Sequence, residues 1–228
     1  MSEIAVLNKS ILDDADVAFA VAACDIQLRE HFVPLWAGSE YTPVRFYSSE
    51  GDLPVLSDIA RLMVLSGTLG VSGALGYHTM DPLIRGVVLA DAGFSVTLSH
   101  ECLEMAADPT ADRWVTMPDG RRIAVEVCDP VEADTYAIPV TILGETRNVR
   151  VSNFVTPAWF ETENPTGLPL DYLGTKTLPP FGMTPGGYVV VMDQQGNTDD
   201  IWGRRDEARR ARKLFNPTSR TYRRGARF

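Results

Sequence analysis

The sequence predicts an α+β fold: a sheet packed on two helices in the first half, a second half rich in β-hairpins, and an extended C-terminal tail. Three observations carry this. Apolar residues recur at three- and four-residue spacing over residues 14 to 33 and along the stretch 94 to 109. After Pro109 the pattern changes to alternation, with turn residues between short β-prone runs. Beyond residue 203 the chain becomes Arg-rich and loses its apolar periodicity.

In chain order, residues 4 to 7 are an apolar run suited to a first strand. Asp13 and Asp14 are placed to cap a helix over about 14 to 33, because a carboxylate accepts from the exposed N–H groups at a helix start. Val17, Ala20, Val21, Cys24, Leu28 and Phe32 then follow at helical spacing, and Pro34 ends the run. Residues 44 to 47 and 59 to 65 read as strands, the second so continuously apolar that it belongs in the middle of a sheet. A Gly-rich passage leads to Gly76-Tyr77-His78; residues 83 to 90 make a further strand, and 91 to 93 turn into the second helix, with Ser95 as its N-cap. Past Pro109, residues 113 to 117 and 122 to 127 flank Pro118-Asp119-Gly120, a strong hairpin signal. Strands at 135 to 143 and 148 to 154 follow, joined at Gly144-Glu145. Residues 161 to 186, rich in Pro, Gly and Thr, read as a long irregular excursion over the surface, and 188 to 192 as a late strand closing on Gln195-Gly196-Asn197. A helical turn or two over 205 to 215 opens the tail. The organisation is a core over 1–160, an irregular and hairpin segment over 161–203 packed on it, and an Arg-rich tail over 204–228.

With 228 residues and 45% apolar content the chain can bury a full core. Its apolar runs, such as residues 15 to 24, are too short and interrupted for a membrane span, and no basic segment with an apolar core opens it. This predicts a protein made without a secretory signal. Three cysteines, Cys24, Cys102 and Cys128, have no framework spacing and fit a reducing compartment. Cys102 and Cys128 each lie beside a candidate site carboxylate, so thiolate ligation or a bridge between them stands as an alternative to plain burial. Residues 203 to 228 hold ten of the 21 Lys and Arg against two acids, a local charge of +8. The first 202 residues hold 11 bases against 28 acids, which is −17. An Arg-rich tail on an acidic body suits docking on a negative surface: an acidic protein, a neighbouring copy or, least in keeping with the acidic body, nucleic acid.

The chemistry concentrates in residues 94 to 109. On a helix, His100 and Glu104 project from one face a turn apart, with Glu101 and Asp108 flanking the stripe. Two ligands at i and i+4 with a Glu at i+1 is the arrangement of a metallopeptidase helix, the Glu acting as general base. Here the second His of HExxH is Glu104, giving HExxE. A carboxylate ligand lowers the Lewis acidity of zinc and admits harder ions such as calcium. The alternative is an amphipathic helix whose polar stripe faces water. Asp108 beside Pro109 also suits a plain helix-end role.

A metal held by two groups of one helix needs a third ligand from elsewhere. Glu126-Val127-Cys128-Asp129-Pro130 offers it, with strand alternation placing Glu126 and Cys128 on one face and Asp129 on the other. Either Glu126 or Asp129 completes the site, the other orienting His100 through its second ring nitrogen. His78 is a further candidate, as ligand or as donor to a developing oxyanion.

The order Gly-Tyr-His at 76 to 78, Ser-His-Glu-x-x-Glu-Met-x-x-Asp-Pro at 99 to 109, Glu-Val-Cys-Asp-Pro at 126 to 130, Val-Ser-Asn-Phe-Val-x-Pro-x-Trp-Phe at 151 to 160 and Pro-Gly-Gly-Tyr at 185 to 188 resembles a bacteriophage and bacterial family of zincin-like metallopeptidases. The helix followed by the Glu-x-x-Asp pair is also similar to the plant EXORDIUM or phosphate-induced family. The resemblance covers most of residues 5 to 205. It implies a zincin-like core in which the site helix lies under a mixed sheet whose edge strand, here residues 83 to 90, borders the cleft. It carries the metal positions to His100 and Glu104, the general base to Glu101, and the downstream acidic positions to Glu126 or Asp129, with His78 nearby. The implied cofactor is zinc, with calcium or no ion as alternatives, and the implied activity is hydrolysis of a peptide substrate. The implied setting is the host cytoplasm during synthesis and then the virion. There the tail would contact other virion proteins or a neighbouring copy, and a non-catalytic structural or adaptor role is the alternative function.

Overall fold

A five-stranded mixed sheet organises the first half of the chain in the computed structural model, which describes residues 3–54, 59–67, 75–80, 84–164 and 166–203. Its strands are β1 (Glu3–Lys9), β2 (Val44–Tyr47), β3 (Ile59–Ser66), β4 (Gly76–Met80) and β5 (Ile84–Leu89), in the order β2-β1-β3-β5-β4. Pairings among β2, β1, β3 and β5 are parallel, and β4 joins β5 antiparallel. The continuously apolar β3 is central, as its composition predicts. The edge, however, is β4 and not the strand at 84–89. β4 precedes β5 in sequence and pairs with it antiparallel, so that β5 lies between β4 and β3.

Two α-helices pack on this sheet, α1 (Asp14–Ile26) and α2 (Phe94–Ala107). Asp13 caps α1 by accepting from the Ala15 N–H at 2.7 Å, and Asp14 and Asp16 complement the positive end of the helix dipole. Val17, Ala20, Val21, Cys24 and Leu28 form the buried stripe anticipated from their spacing. The helix widens to a π-helical turn over Gln27–Phe32. Its opposite face, with Phe19 and Ala23, packs on Ile138, Val140, Val149 and Val151 of the hairpin β8 (Thr135–Ile142) and β9 (Glu145–Ser152). Leu143 and Gly144 both take positive φ, 49° and 87°, the tight hairpin turn that only a glycine-like conformation at both positions can close.

The remaining sheet has the order β11-β10-β7-β6, from β6 (Trp114–Thr116), β7 (Arg122–Ala124), β10 (Tyr188–Met192) and β11 (Thr198–Trp202). The Pro118-Asp119-Gly120 hairpin forms, with Val115 opposite Ile123. β7 stops at Ala124, three residues before the expected strand end, and the chain turns inward there. Residues 161–186 contain no strand among those described, but they are not merely superficial. Asp171 and Leu178 are buried, and the Asp171 carboxylate accepts from Asn153 Nδ2 at 2.7 Å and from the Thr175 N–H at 2.6 Å. The Arg-rich tail, including the helical turns anticipated over 205 to 215, lies outside the described residues. Among the described residues no helix is long and apolar enough to cross a membrane. The chain is an α+β protein.

Candidate metal centre

α2 is the element on which the site is built. It starts at Phe94 after a turn in which Asp91 Oδ1 accepts from the Gly93 N–H at 2.8 Å. Ser95 is not its cap: Gly93 holds that position, and the Ser95 hydroxyl donates to the Arg150 carbonyl at 2.9 Å, fastening the helix start to β9. At the other end Asp108 accepts from the N–H groups of Asp112 and Arg113, at 3.2 and 2.9 Å. It therefore serves the helix-end turn.

The polar stripe of α2 does not face water. Glu104 is 0% and Glu101 2% exposed, which rules out a solvated amphipathic helix. His100, whose side chain keeps 12% exposure, is the most accessible member of the cluster. Its Nε2 lies 3.0 Å from Glu104 Oε1 and 3.2 Å from Asp129 Oδ1. Glu101, rotated about 100° around the helix from His100, meets the edge strand: His78 Nδ1 is 3.0 Å from Glu101 Oε2 and 4.0 Å from Glu104 Oε2. Gly76 on the same strand makes room for this, since a Cβ there would come within 2.7 Å of Thr97 Cγ2 and 3.1 Å of Glu101 Oε1. Gly86 on β5 does the same beneath Met63 and Met105. The two glycines let α2 sit close on the sheet and bring His78 to it.

The downstream acids arrive by a route that alternation did not foretell. After β7 the chain is irregular through Cys128 and then makes a 3₁₀ turn over Asp129–Val131, with Pro130 in its first turn. Glu126, Cys128 and Asp129 are all buried instead of dividing between two faces. The turn is gripped from both sides: Val155 N–H donates to the Val127 carbonyl at 2.7 Å, and Thr184 N–H to the Pro130 carbonyl at 2.9 Å. Gly187 packs so closely that a Cβ there would overlap the Pro130 carbonyl. The Pro-Gly-Gly-Tyr stretch at 185 to 188 is thus a support for the turn that carries Asp129.

Three groups of possible ligand atoms lie within 4.8 Å of one another: His100 with Glu104 and Cys128, His78 with Glu101 and Glu104, and Glu104 with Glu126 and Asp129. All six predicted site residues, His78, His100, Glu101, Glu104, Glu126 and Asp129, therefore meet around Glu104. The downstream acid Asp129 touches the His100 ring, and Glu126 lies within reach of Glu104 and Asp129. Cys128 joins them, its thiol lying 3.8 Å from the His100 carbonyl. Cys102 does not. It points to the other helix and lies beside Cys24, so no bridge links it to Cys128, and all three thiols are free.

The electrostatics follow from burial. Desolvation disfavours the His100 imidazolium, but Glu104 and Asp129, as charges and as hydrogen-bond acceptors, outweigh it and hold the pKa well above its ordinary value. Burial pushes the Cys128 thiol up, the charge of Glu104 adds to this, and Ser152 opposes it, so the sulfur is protonated in the metal-free protein.

For zinc, bonds of about 2.0–2.2 Å in a tetrahedron set neighbouring donor atoms roughly 3.3–3.6 Å apart. The separations around His100 Nε2, 3.0 and 3.2 Å, are slightly tighter than this, so a small outward movement of the two carboxylates would admit an ion. Imidazole nitrogen with carboxylate oxygen is a donor set that divalent transition metals accept, and its oxygen content also suits harder ions. No protein family, curated protein or solved structure matches this chain.

Proposed function

We propose that this chain is a zincin-like protein that binds a divalent metal ion, zinc foremost, and hydrolyses peptide bonds. The observation that carries the reading is the meeting of His100 Nε2 with Glu104 Oε1 and Asp129 Oδ1 at 3.0 and 3.2 Å in a buried pocket of carboxylates. In this reading those three side chains hold the ion and Glu126, within reach of Glu104 and Asp129, completes or steadies the set. The mixed sheet whose edge strand borders the site helix supports the same assignment. When bound, the ion supplies Lewis acidity towards the scissile carbonyl.

The rest falls to the chain. Glu101 Oε2 lies 3.0 Å from His78 Nδ1, and the Glu101 carboxylate so oriented would take a proton from the attacking water and return it to the leaving amine. His78 is then a positioning residue for Glu101. The test is metal analysis of the purified protein together with a casein or peptide-library assay. The reading requires stoichiometric metal and an activity that Glu101→Gln lowers by about 10²-fold or more. Activity indifferent to Glu101→Gln sinks the catalytic part.

A virion role, with docking on other virion proteins or a neighbouring copy, rests on the separation of +8 in residues 203 to 228 from −17 before them. It is compatible with hydrolysis. Deleting residues 204 to 228 should abolish incorporation into particles and leave metal content unchanged.

A further inference from the structure

Glu104 has a histidine on each side. Its Oε1 faces His100 Nε2 at 3.0 Å, on the side where Asp129 Oδ1 also lies, and its Oε2 faces His78 Nδ1 at 4.0 Å, on the side where Glu101 Oε2 sits 3.0 Å from the same nitrogen. Each side offers one imidazole nitrogen, one oxygen of Glu104 and one oxygen of a second buried carboxylate. The two donor sets come from different parts of the fold. One combines α2 with the turn after β7, the other α2 with the edge strand β4. They have only Glu104 in common.

Burial points the same way: Glu101, Glu104, Glu126 and Asp129 are each no more than 3% exposed, so four carboxyl groups gather around the two imidazoles with little water to solvate them. A carboxylate whose two oxygens point at separate ions holds them about 3.5–4 Å apart, the spacing of two-metal hydrolytic centres.

We propose that the site is dinuclear, with Glu104 bridging one divalent ion held by His100 and Asp129 and a second held by His78 and Glu101. The second ion would sit where His78 Nδ1 and Glu101 Oε2 now face each other at 3.0 Å. This rests on the metal-binding reading above and changes the part played by Glu101, whose Oε2 becomes a ligand while Oε1 remains the oxygen nearest the strand edge at Gly76.

Manganese(II) tests it, because neighbouring manganese spins couple and isolated ones do not. The full chain, stripped with chelator, is dialysed against manganese(II) chloride; bound metal is counted and the electron paramagnetic resonance spectrum recorded. The expected result is two ions per chain with a spin-coupled signal, falling to one ion with an isolated six-line signal in His78→Ala. One ion per chain that survives His78→Ala and is lost in Asp129→Asn overturns the second site alone. No bound ion overturns the metal reading itself. Two ions without spin coupling overturn the bridge. The wild-type spectrum decides the matter even if His78→Ala fails to fold, which circular dichroism would reveal.

Discussion

The two α-helices among the described residues each have a buried face, and polar side chains enter the interior beside both, yet those side chains are of different kinds. On the α1 side the buried polar group is neutral and its hydrogens go to fixed acceptors: Gln27 Nε2 donates to the Ser152 carbonyl at 2.7 Å and to the Tyr136 hydroxyl at 3.0 Å. Beside it His31, Tyr136 and Phe154 each stack on Tyr172, with ring centroids 4.7, 4.9 and 5.3 Å away. On α2 the buried groups are acids that converge on one another and on two imidazoles. An amide whose two hydrogens are answered by a carbonyl and a hydroxyl is an architectural device, because those bonds offset much of its desolvation, although Gln27 Oε1 is buried without a partner. Gathered carboxylates repel one another and are retained at a loss of stability, which is the mark of a binding or catalytic site.

The largest expected effect tests that contrast at its centre. Glu104→Gln should lower affinity for manganese(II) or zinc by at least about 100-fold, measured by equilibrium dialysis, because it neutralises the residue common to every ligand group. The metal-free variant should nevertheless melt within a few degrees of the wild type, because the loss of the Glu104 contact to His100 is offset by relief of repulsion among the carboxylates, and Asp129 still faces the imidazole. A large drop in melting temperature would show Glu104 to be a structural residue like Gln27, and the comparison would fail. Gln27→Leu should do the reverse. It strips the Ser152 carbonyl of a buried donor, so urea unfolding should report a loss of about 1–3 kcal/mol, with metal content unchanged.

How much of this the sequence made legible depends on how local each feature is. The periodicity of 14 to 33, the Asp13 cap, the Pro118-Asp119-Gly120 hairpin and the central place of β3 are decided by neighbouring residues or by composition, and all appear. His100 and Glu104 on one helical face are equally local. Tertiary pairing decided the rest. Ser95 has the side chain of a cap, but the Arg150 carbonyl claims its hydroxyl. The edge position belongs to β4 because β5 pairs with β3 on one side and β4 on the other. Alternation over 126 to 129 fails because Thr184, Gly187 and Val155 clamp a turn there, and contacts so distant in the chain leave no periodic trace. Gly76 and Gly187 gave no sign of their importance, since what each excludes is a collision with residues far away in sequence.

The smallest expected effect concerns the only imidazole on the α1 side. Burial holds the pKa of His31 below its ordinary value, with the charge of Glu30 pulling the other way. Its Nδ1 lies 2.9 Å from the Tyr136 hydroxyl, and its ring stacks on Tyr172. The folded state therefore favours neutral His31, and the unfolded chain binds more protons in the interval between the lowered folded pKa and the unfolded value of about 6.5. The stability contributed by this preference is complete above the unfolded pKa and is lost as pH falls through the folded one. Wild-type urea midpoints should accordingly drop between about pH 7.5 and pH 5.5 by more than those of His31→Gln, which cannot take up a proton. Metal content measured at the upper pH should be the same in both proteins, because His31 belongs to the aromatic stack and to none of the ligand groups. Parallel pH profiles would mean that folding leaves the His31 pKa unchanged, and a smaller drop in the wild type than in His31→Gln would mean that the fold favours the imidazolium, a buried charge on the α1 side of the kind assigned to α2 alone.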